Sequence, residues 1–226
     1  MQGLILSLNE KNNAPVIIRG AMAHLNLTMI HPFKDGNGRM ARALQTFVLA
    51  REGILDPRFT GIEAFVGSNT TEYYDVLAKV GLGRWNPEKD SLPWIRFCLK
   101  AHYYQAQTLL KRVQRTDAMW DKIEKEIKKR KIPERTINAL MDAAIGLRVR
   151  NPVHRADTEI SYQVAKRDLK TLVNEGLLIA KGEKRGRIYL ASPYLQELWA
   201  QSKINRPITD PFSGAADYEP GGQIDL

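Results

Sequence analysis

Residues 31–42, His-Pro-Phe-Lys-Asp-Gly-Asn-Gly-Arg-Met-Ala-Arg, constrain the fold more than any other stretch, because they stop one helix and start another within a few residues. The ring of Pro32 disfavours the αR region for His31, so the apolar helix before it ends there. The next helix is expected to begin near Gly38. Gly36 and Gly38, on either side of Asn37, let successive backbone N–H groups converge on one point, the anion-binding geometry of a helix N-terminus. Arg39 and Arg42, three apart, share one face of the first turn. Cations there oppose the positive end of the helix dipole at a cost of roughly 0.3–1 kcal/mol each, which makes sense if a polyanion lies between them. Asp35 cannot bind phosphate directly, and a carboxylate beside phosphates normally holds Mg²⁺. A base, a carboxylate, a glycine turn and two arginines around one helix start suit nucleoside triphosphate chemistry.

The string satisfies the signature of the Fic family, His-Pro-Phe-x-Asp/Glu-Gly-Asn-Gly-Arg-x-x-Arg, at all nine specified positions of its twelve-residue window, and the chain resembles that family. Upstream, Ile17-Ile18-Arg19-Gly20-Ala21-Met22-Ala23-His24-Leu25 resembles the helix that leads into the motif. Downstream, Asn69-Thr70-Thr71-Glu72-Tyr73-Tyr74 and Trp94-Ile95-Arg96-Phe97 resemble its later helices, so the likeness covers about residues 2–110. The resemblance implies a mainly α fold and an ATP- and Mg²⁺-dependent transfer of AMP to a Ser, Thr or Tyr hydroxyl of a target protein; some family members move other phosphate-containing groups.

Carried over by the resemblance, His31 is the general base for the incoming hydroxyl and Asp35 holds Mg²⁺. The amides of Gly36 to Gly38 and Asn37 cradle the α- and β-phosphates, Arg39 meets the β-phosphate and Arg42 the γ-phosphate. Such transfers rest mostly on positioning and charge neutralisation, with proton removal adding roughly 10²–10⁴-fold. Tyr73 and Tyr74 resemble a pair that flanks the nucleotide in some members, and adjacent helical aromatics equally suit core packing. Phe33 is expected to anchor the loop in the core, Lys34 to be exposed and face the target, His24 to be structural, and Asn86 is a weaker candidate for an adenine contact.

The family presents its target beside a β-hairpin flap N-terminal to the motif, and no flap is visible in the thirty residues before His31, as expected of an N-terminally truncated chain or gene product. Many members also carry an inhibitory helix of the pattern Ser/Thr-x-x-x-Glu-Gly/Asn. Thr171–Gly176 fits that pattern, and its position at the end of a later amphipathic helix reads as an ordinary helix end.

The 226 residues carry a net charge of +9, and the excess sits in the middle of the chain. Residues 111–190 hold 20 basic and 11 acidic side chains, against 12 and 9 in residues 1–110 and 2 and 5 in residues 191–226. A Fic domain over 1–110 is therefore followed by a basic connecting helix over 111–133, with Trp120, Ile123 and Ile127 as its apolar stripe and Glu124–Lys128 as a supporting pair. Over 134–204, helices at Thr136–Leu147 and Ser161–Glu175, the latter capped by Gly176, precede strand-like runs Leu177–Ala180 and Arg187–Leu190 around a basic turn. That order resembles a small α+β winged helix-turn-helix domain. The resemblance implies duplex DNA contact through Lys166, Arg167 and Lys170 on the recognition helix and through Lys184, Arg185 and Arg187 on the wing. Such modules also mediate homodimerisation or protein docking. A chain acting mainly as a DNA-binding regulator, with a weak or inactive Fic domain, is the alternative. Residues 205–226, rich in Pro and Gly and acidic in balance, are expected to form a disordered tail.

Cys98 is the single cysteine, so neither a disulfide nor a cysteine-based zinc cluster can form within the chain. No apolar run approaches the ~18 residues that span a bilayer, and no signal peptide is evident. A soluble, cytoplasmic protein without membrane contact is the expectation.

Overall fold

The structure is a computed structural model that describes residues 1–10, 13–53, 61–82 and 86–213, the side chain of Arg185 excepted. The described residues form two compact units, one of those within 1–109 together with 207–213 and one of residues 110–206. The architecture is mainly α with one small two-stranded sheet.

In the first unit the described helices are α1 (Gln2–Asn9), α2 (Val16–Ile30), α3 (Asn37–Arg51), α4 (Glu63–Ser68), α5 (Thr70–Gly81) and the N-terminal part of α6 (Leu92–Arg130). Helix α2 is the centre of this unit, with Ala21, Ala23, His24, Leu25 and Leu27 all buried. A helix covered on nearly all sides needs apolar residues around its whole circumference, which is why no clean stripe is readable in its sequence. Leu25 and Ala21 pack with Phe65, Tyr73, Leu77 and Trp94, and the fully buried Trp94 donates its Nε1–H to the carbonyl of Ala21 at 2.7 Å. Leu4 of α1 and Ala41 of α3 close on Leu27 to form a smaller core.

Residues 207–213 pack on this same unit, against the expectation of an unstructured tail. Tyr104 donates its hydroxyl hydrogen to the Ile208 carbonyl at 3.4 Å, and Lys100 pairs with Glu72 at 3.0 Å and with Asp210 at 3.1 Å. The anchor is a specific ion pair, which composition cannot reveal. The tail beyond residue 213 lies outside the described residues.

The expected connecting helix is the continuation of α6, one 39-residue helix, because neither Gly nor Pro interrupts residues 94–132. In its second part the buried stripe is Met119, Ile123 and Ile127, four residues apart, whereas Trp120 is 40% exposed. Trp120 stands one position off the stripe, about 100° round the helix. The second unit continues through a 3₁₀ turn (Glu134–Thr136), α7 (Ile137–Ala144), α8 (Asn151–Thr158), α9 (Tyr162–Asn174), β1 (Leu178–Lys181), β2 (Ile188–Ala191) and α10 (Pro193–Gln201). The strands are antiparallel, with Leu178 opposite Ala191 and Lys181 opposite Ile188, and Val149 bridges Tyr189 on the other edge of β2. Helix α8 has no counterpart in the sequence expectation. Of its eight residues only His154 is buried, so no apolar period marks it, and Pro152 in its first turn is the readable start signal.

Helix α9 begins at Ser161, whose Oγ accepts the Val164 N–H at 3.4 Å. It ends where Gly176, at φ +70°, donates to Val173 O and Leu177 to Leu172 O, the paired bonds of a Schellman motif. Its inner face carries the buried Ala165, Leu169 and Leu172 together with Asp168. Arg135 donates to Asp168 twice, at 2.7 and 2.8 Å, and His154 Nε2 lies 3.4 Å from the same carboxylate. Burial pushes that carboxyl up, but the Arg135 and His154 contacts outweigh it and hold it below the usual range. Asp168→Ala removes the acceptor that ties the 3₁₀ turn and α8 to α9. We expect a loss of about 2 kcal/mol in chemical denaturation of the second unit, and an unchanged midpoint would show that the anchor is dispensable.

Candidate active site

The turn between α2 and α3 is set by two left-handed residues. His31 has φ +50° and ψ +54° and donates its N–H to Leu27 O at 3.0 Å, closing α2. It adopts αL, as Leu82 and Glu159 do at their own helix ends, which costs a non-glycine residue about 1–2 kcal/mol. Gly36, at φ +86°, caps α3, and its carbonyl accepts the first intrahelical bond from Met40 N–H at 2.9 Å. The amides of Asn37, Gly38 and Arg39 precede that bond and have no acceptor within the helix.

Asn37 starts α3, one residue earlier than expected, and is buried. Its Oδ1 accepts Phe33 N–H at 3.0 Å and its Nδ2 donates to Phe33 O at 2.6 Å. The side chain therefore holds the loop, and what it leaves toward an anion is its backbone amide. This also corrects the expectation for Phe33, whose backbone is anchored while its ring is 44% exposed.

His31, Asp35, Gly36, Asn37, Gly38, Arg39, Arg42, Tyr73 and Tyr74 line one cavity of about 320 Å³, together with Thr28, Lys34 and Leu77. His31 is exposed, and its Nδ1 lies 3.3 Å from the Thr28 carbonyl. A carbonyl only accepts, so Nδ1 supplies the hydrogen of this contact, and in the neutral imidazole the lone pair then lies on Nε2, the atom a general base would use. Asp35 accepts Gly36 N–H at 2.6 Å and pairs with Arg39 at 3.1 Å, both side chains being largely exposed. Such a solvated pair contributes little and exchanges easily for stronger partners. A single exposed carboxylate beside a phosphate cradle fits Mg²⁺, which takes one or two carboxylates plus phosphate oxygens. No cluster of three metal-ligating side chains occurs among the described residues.

Arg42, Tyr73 and Tyr74 also line an adjacent cavity of about 250 Å³ with Glu63, Val66, Gly67 and Thr70. The contributions of Glu63 and Thr70 were not readable from spacing, because α4 and α5 reach the motif only through tertiary packing. Tyr73 and Tyr74 differ in role. Tyr74 is 63% exposed, whereas Tyr73 is buried and its hydroxyl, like Arg42 Nη1, approaches Gly38, 3.9 and 3.5 Å from where a Cβ there would stand. Burial raises the Tyr73 phenol, partly offset by Arg42. Asn86 lines neither cavity.

Behind Tyr73 lies a buried polar row. His24 contacts Tyr73 Oη at 3.1 Å through Nε2 and Gln45 Oε1 at 2.7 Å through Nδ1, and Gln45 Nε2 is 3.0 Å from His102 Nε2. Burial lowers the pKa of both imidazoles to about 4. Cys98, also buried beside Gln45, has its thiol pushed up by burial.

In the second unit Lys166, Arg167 and Lys170 are exposed on α9, and Lys184 and Arg187 are exposed between the strands. Arg187 Nε donates to Gly182 O at 3.3 Å, and the Arg185 side chain lies outside the described residues. Glu175 is engaged within this unit, its carbonyl accepting from Arg130 at 2.6 Å and its carboxylate 3.7 Å from the same guanidinium.

Comparison with known proteins supplies an independent view. Residues 1–49 match the model of the Fic/DOC family. Protein adenylyltransferase fic-1 of Caenorhabditis elegans is 35% identical over 95 residues, which are 41% of this chain and 16% of that protein. The Caenorhabditis briggsae protein of the same name is 37% identical over the same shares. A probable protein adenylyltransferase of Aquifex aeolicus (strain VF5) is 31% identical over 61 residues, 27% of this chain and 19% of that protein. The chain thus spans less than a fifth of the length of these curated relatives. A crystal structure of a Fic family protein from Desulfovibrio desulfuricans G20 superposes with a TM-score of 0.44 at 20% identity, covering 84% of this chain and 53% of that one.

The buried imidazoles give the first unit a pH dependence. Between pH 6.5 and about 4 the unfolded chain binds protons that His24 and His102 refuse in the folded state, so stability falls as pH is lowered through that window. The full cost is up to about 3 kcal/mol per histidine. Melting temperature should drop from pH 7 to pH 5, and His102→Leu should flatten part of that slope; an unaltered slope in the variant would contradict the assignment.

Proposed function

We propose, on the premise that residues 1–49 belong to the Fic/DOC family, that this chain transfers AMP from ATP to a Ser, Thr or Tyr hydroxyl of a target protein. The observation that carries the reading is the meeting of the His31 imidazole, the free amides of the α3 N-terminus and Arg42 around a single cavity. In this reading Nε2 of His31 takes the proton of the incoming hydroxyl as its oxygen bonds to the α-phosphorus. The bond from that phosphorus to the oxygen bridging it to the β-phosphorus breaks, and pyrophosphate leaves. The amides of Asn37, Gly38 and Arg39 and the guanidiniums of Arg39 and Arg42 take up the phosphate charge. Asp35 would hold Mg²⁺, which when bound neutralises charge on the departing phosphates. Tyr74 and the adjacent cavity beside Glu63 and Thr70 are the candidate nucleoside subsite. A reducing cytoplasm suits the single buried Cys98.

A second reading concerns residues 110–206. The winged helix-turn-helix assignment is supported by α8 and α9 preceding the β1–β2 hairpin, with Lys166, Arg167 and Lys170 facing out while Asp168 faces in. We read this face as a phosphate-contacting surface for duplex DNA.

Three outcomes are expected. His31→Ala should lose transfer of label from ATP to protein while retaining ATP affinity in calorimetry; full activity in that variant would exclude His31 as the base. Arg42→Glu should abolish nucleotide binding and Asp35→Ala should mainly reduce its Mg²⁺ dependence, whereas unchanged affinity in the Arg42 variant would put the phosphates elsewhere. For DNA, each neutralised phosphate contributes roughly −0.9 to the slope of log K against log salt, so alanine at Lys166, Arg167 and Lys170 should flatten that slope by up to about three. Absence of duplex binding at low salt would make this unit a homodimerisation or target-docking module.

A further inference from the structure

The buried row behind Tyr73 has a proton order that its chemistry decides. Gln45 Oε1 only accepts, so His24 Nδ1, 2.7 Å away, carries the imidazole hydrogen. His24 Nε2 is then a lone pair, and the Tyr73 hydroxyl at 3.1 Å must donate into it. That turns the phenolic hydrogen inward and leaves the oxygen lone pairs facing Arg42. Arg42 Nη1 and Tyr73 Oη converge on Gly38, 3.5 and 3.9 Å from where a Cβ there would stand, and both residues line the same two cavities. A guanidinium has only donors, so an oxygen that presents lone pairs is the neighbour it needs, and the reverse order would set the phenolic hydrogen against it. At the far end Gln45 Nε2 donates to His102 Nε2 at 3.0 Å, which holds the carboxamide in the orientation the rest of the row requires.

We infer that His24 is a positioning residue for Arg42: through Gln45 and His102 it fixes the Tyr73 hydroxyl as an acceptor that holds the guanidinium at the mouth of the phosphate cradle. The inference rests on the reading of Arg42 as a phosphate ligand. None of His24, Gln45 and His102 reaches the cavity, so the row acts on the ligand only through Tyr73 and Arg42. The long Arg42 side chain would otherwise sample many rotamers, and a fixed acceptor confines it to those that reach the ligand.

The test is ATP affinity measured by calorimetry on the full chain for Tyr73→Phe, His24→Phe, Arg42→Ala and the two double variants that include Arg42→Ala. Tyr73→Phe keeps the packed ring and removes only the hydroxyl. We expect each of the two relay variants to weaken ATP binding about fivefold and to cause no further loss once Arg42 is alanine. A residue with a merely structural role would impose its loss in both backgrounds, and that result overturns the inference. So does unaltered affinity in both relay variants while Arg42→Ala weakens binding. If Arg42→Ala itself leaves affinity unchanged, the phosphate reading fails with it, so the two failures are distinguishable. Should His24→Phe fail to fold, Tyr73→Phe alone decides through the same comparison.

Discussion

The candidate site depends on the clamp between the Asn37 carboxamide and the backbone of Phe33. Two hydrogen bonds, at 3.0 and 2.6 Å, close a four-residue loop around one buried side chain. Leaving those buried polar atoms without partners would cost about 1–3 kcal/mol, a large fraction of any domain's stability. The clamp spans Gly36, whose left-handed backbone caps α3 ahead of the amides that precede its first intrahelical bond. His31, closed on the end of α2 in the left-handed region, sits across the same turn. The candidate base and the candidate anion cradle are thereby held together by backbone geometry.

Around this turn the charges fall into two kinds. Asp35 and Arg39 are solvated, weakly coupled to each other, and available to new partners. Arg42 lines the same cavities as a buried phenol backed by His24, Gln45 and His102, a row joined by three hydrogen bonds whose imidazoles are kept neutral by burial. In low dielectric such a row is stiff when complete and costly when incomplete. Exchangeable groups at the rim and a preset one at the back are what the proposed binding of a highly charged nucleotide in one pose would use.

The second unit uses the same device to a different end. On α9 a buried Asp168 points into the core beside Leu169 and is met by Arg135 and His154, which ties three elements together. Lys166, Arg167 and Lys170 are consequently confined to the outer face of the helix.

His31 to Arg42 was legible from sequence because its chemistry is local: proline ends a helix, glycine permits a left-handed turn, and arginines three apart share a face whatever surrounds them. The mainly α character and the continuity of α9 up to its Gly176 cap followed from the same short-range rules. What lay beyond them was decided by packing at long sequence separation. Trp120 and Met119 are adjacent in the chain, and only the partner helices determine which one is buried. Phe33 looked like an anchor because it is aromatic, while the anchor is the polar Asn37. Helix α8 has almost no apolar face to announce it. His24, Gln45, Tyr73 and His102 come from four helices across nearly eighty residues, and their hydrogen-bonded row exists only after those helices have packed. The sequence by itself determined the chemistry of the turn, since dihedral preference is a property of each residue and its neighbour. Tertiary structure alone decided how the Tyr73 hydroxyl is held, since desolvation and hydrogen-bond satisfaction belong to an environment that no local stretch contains.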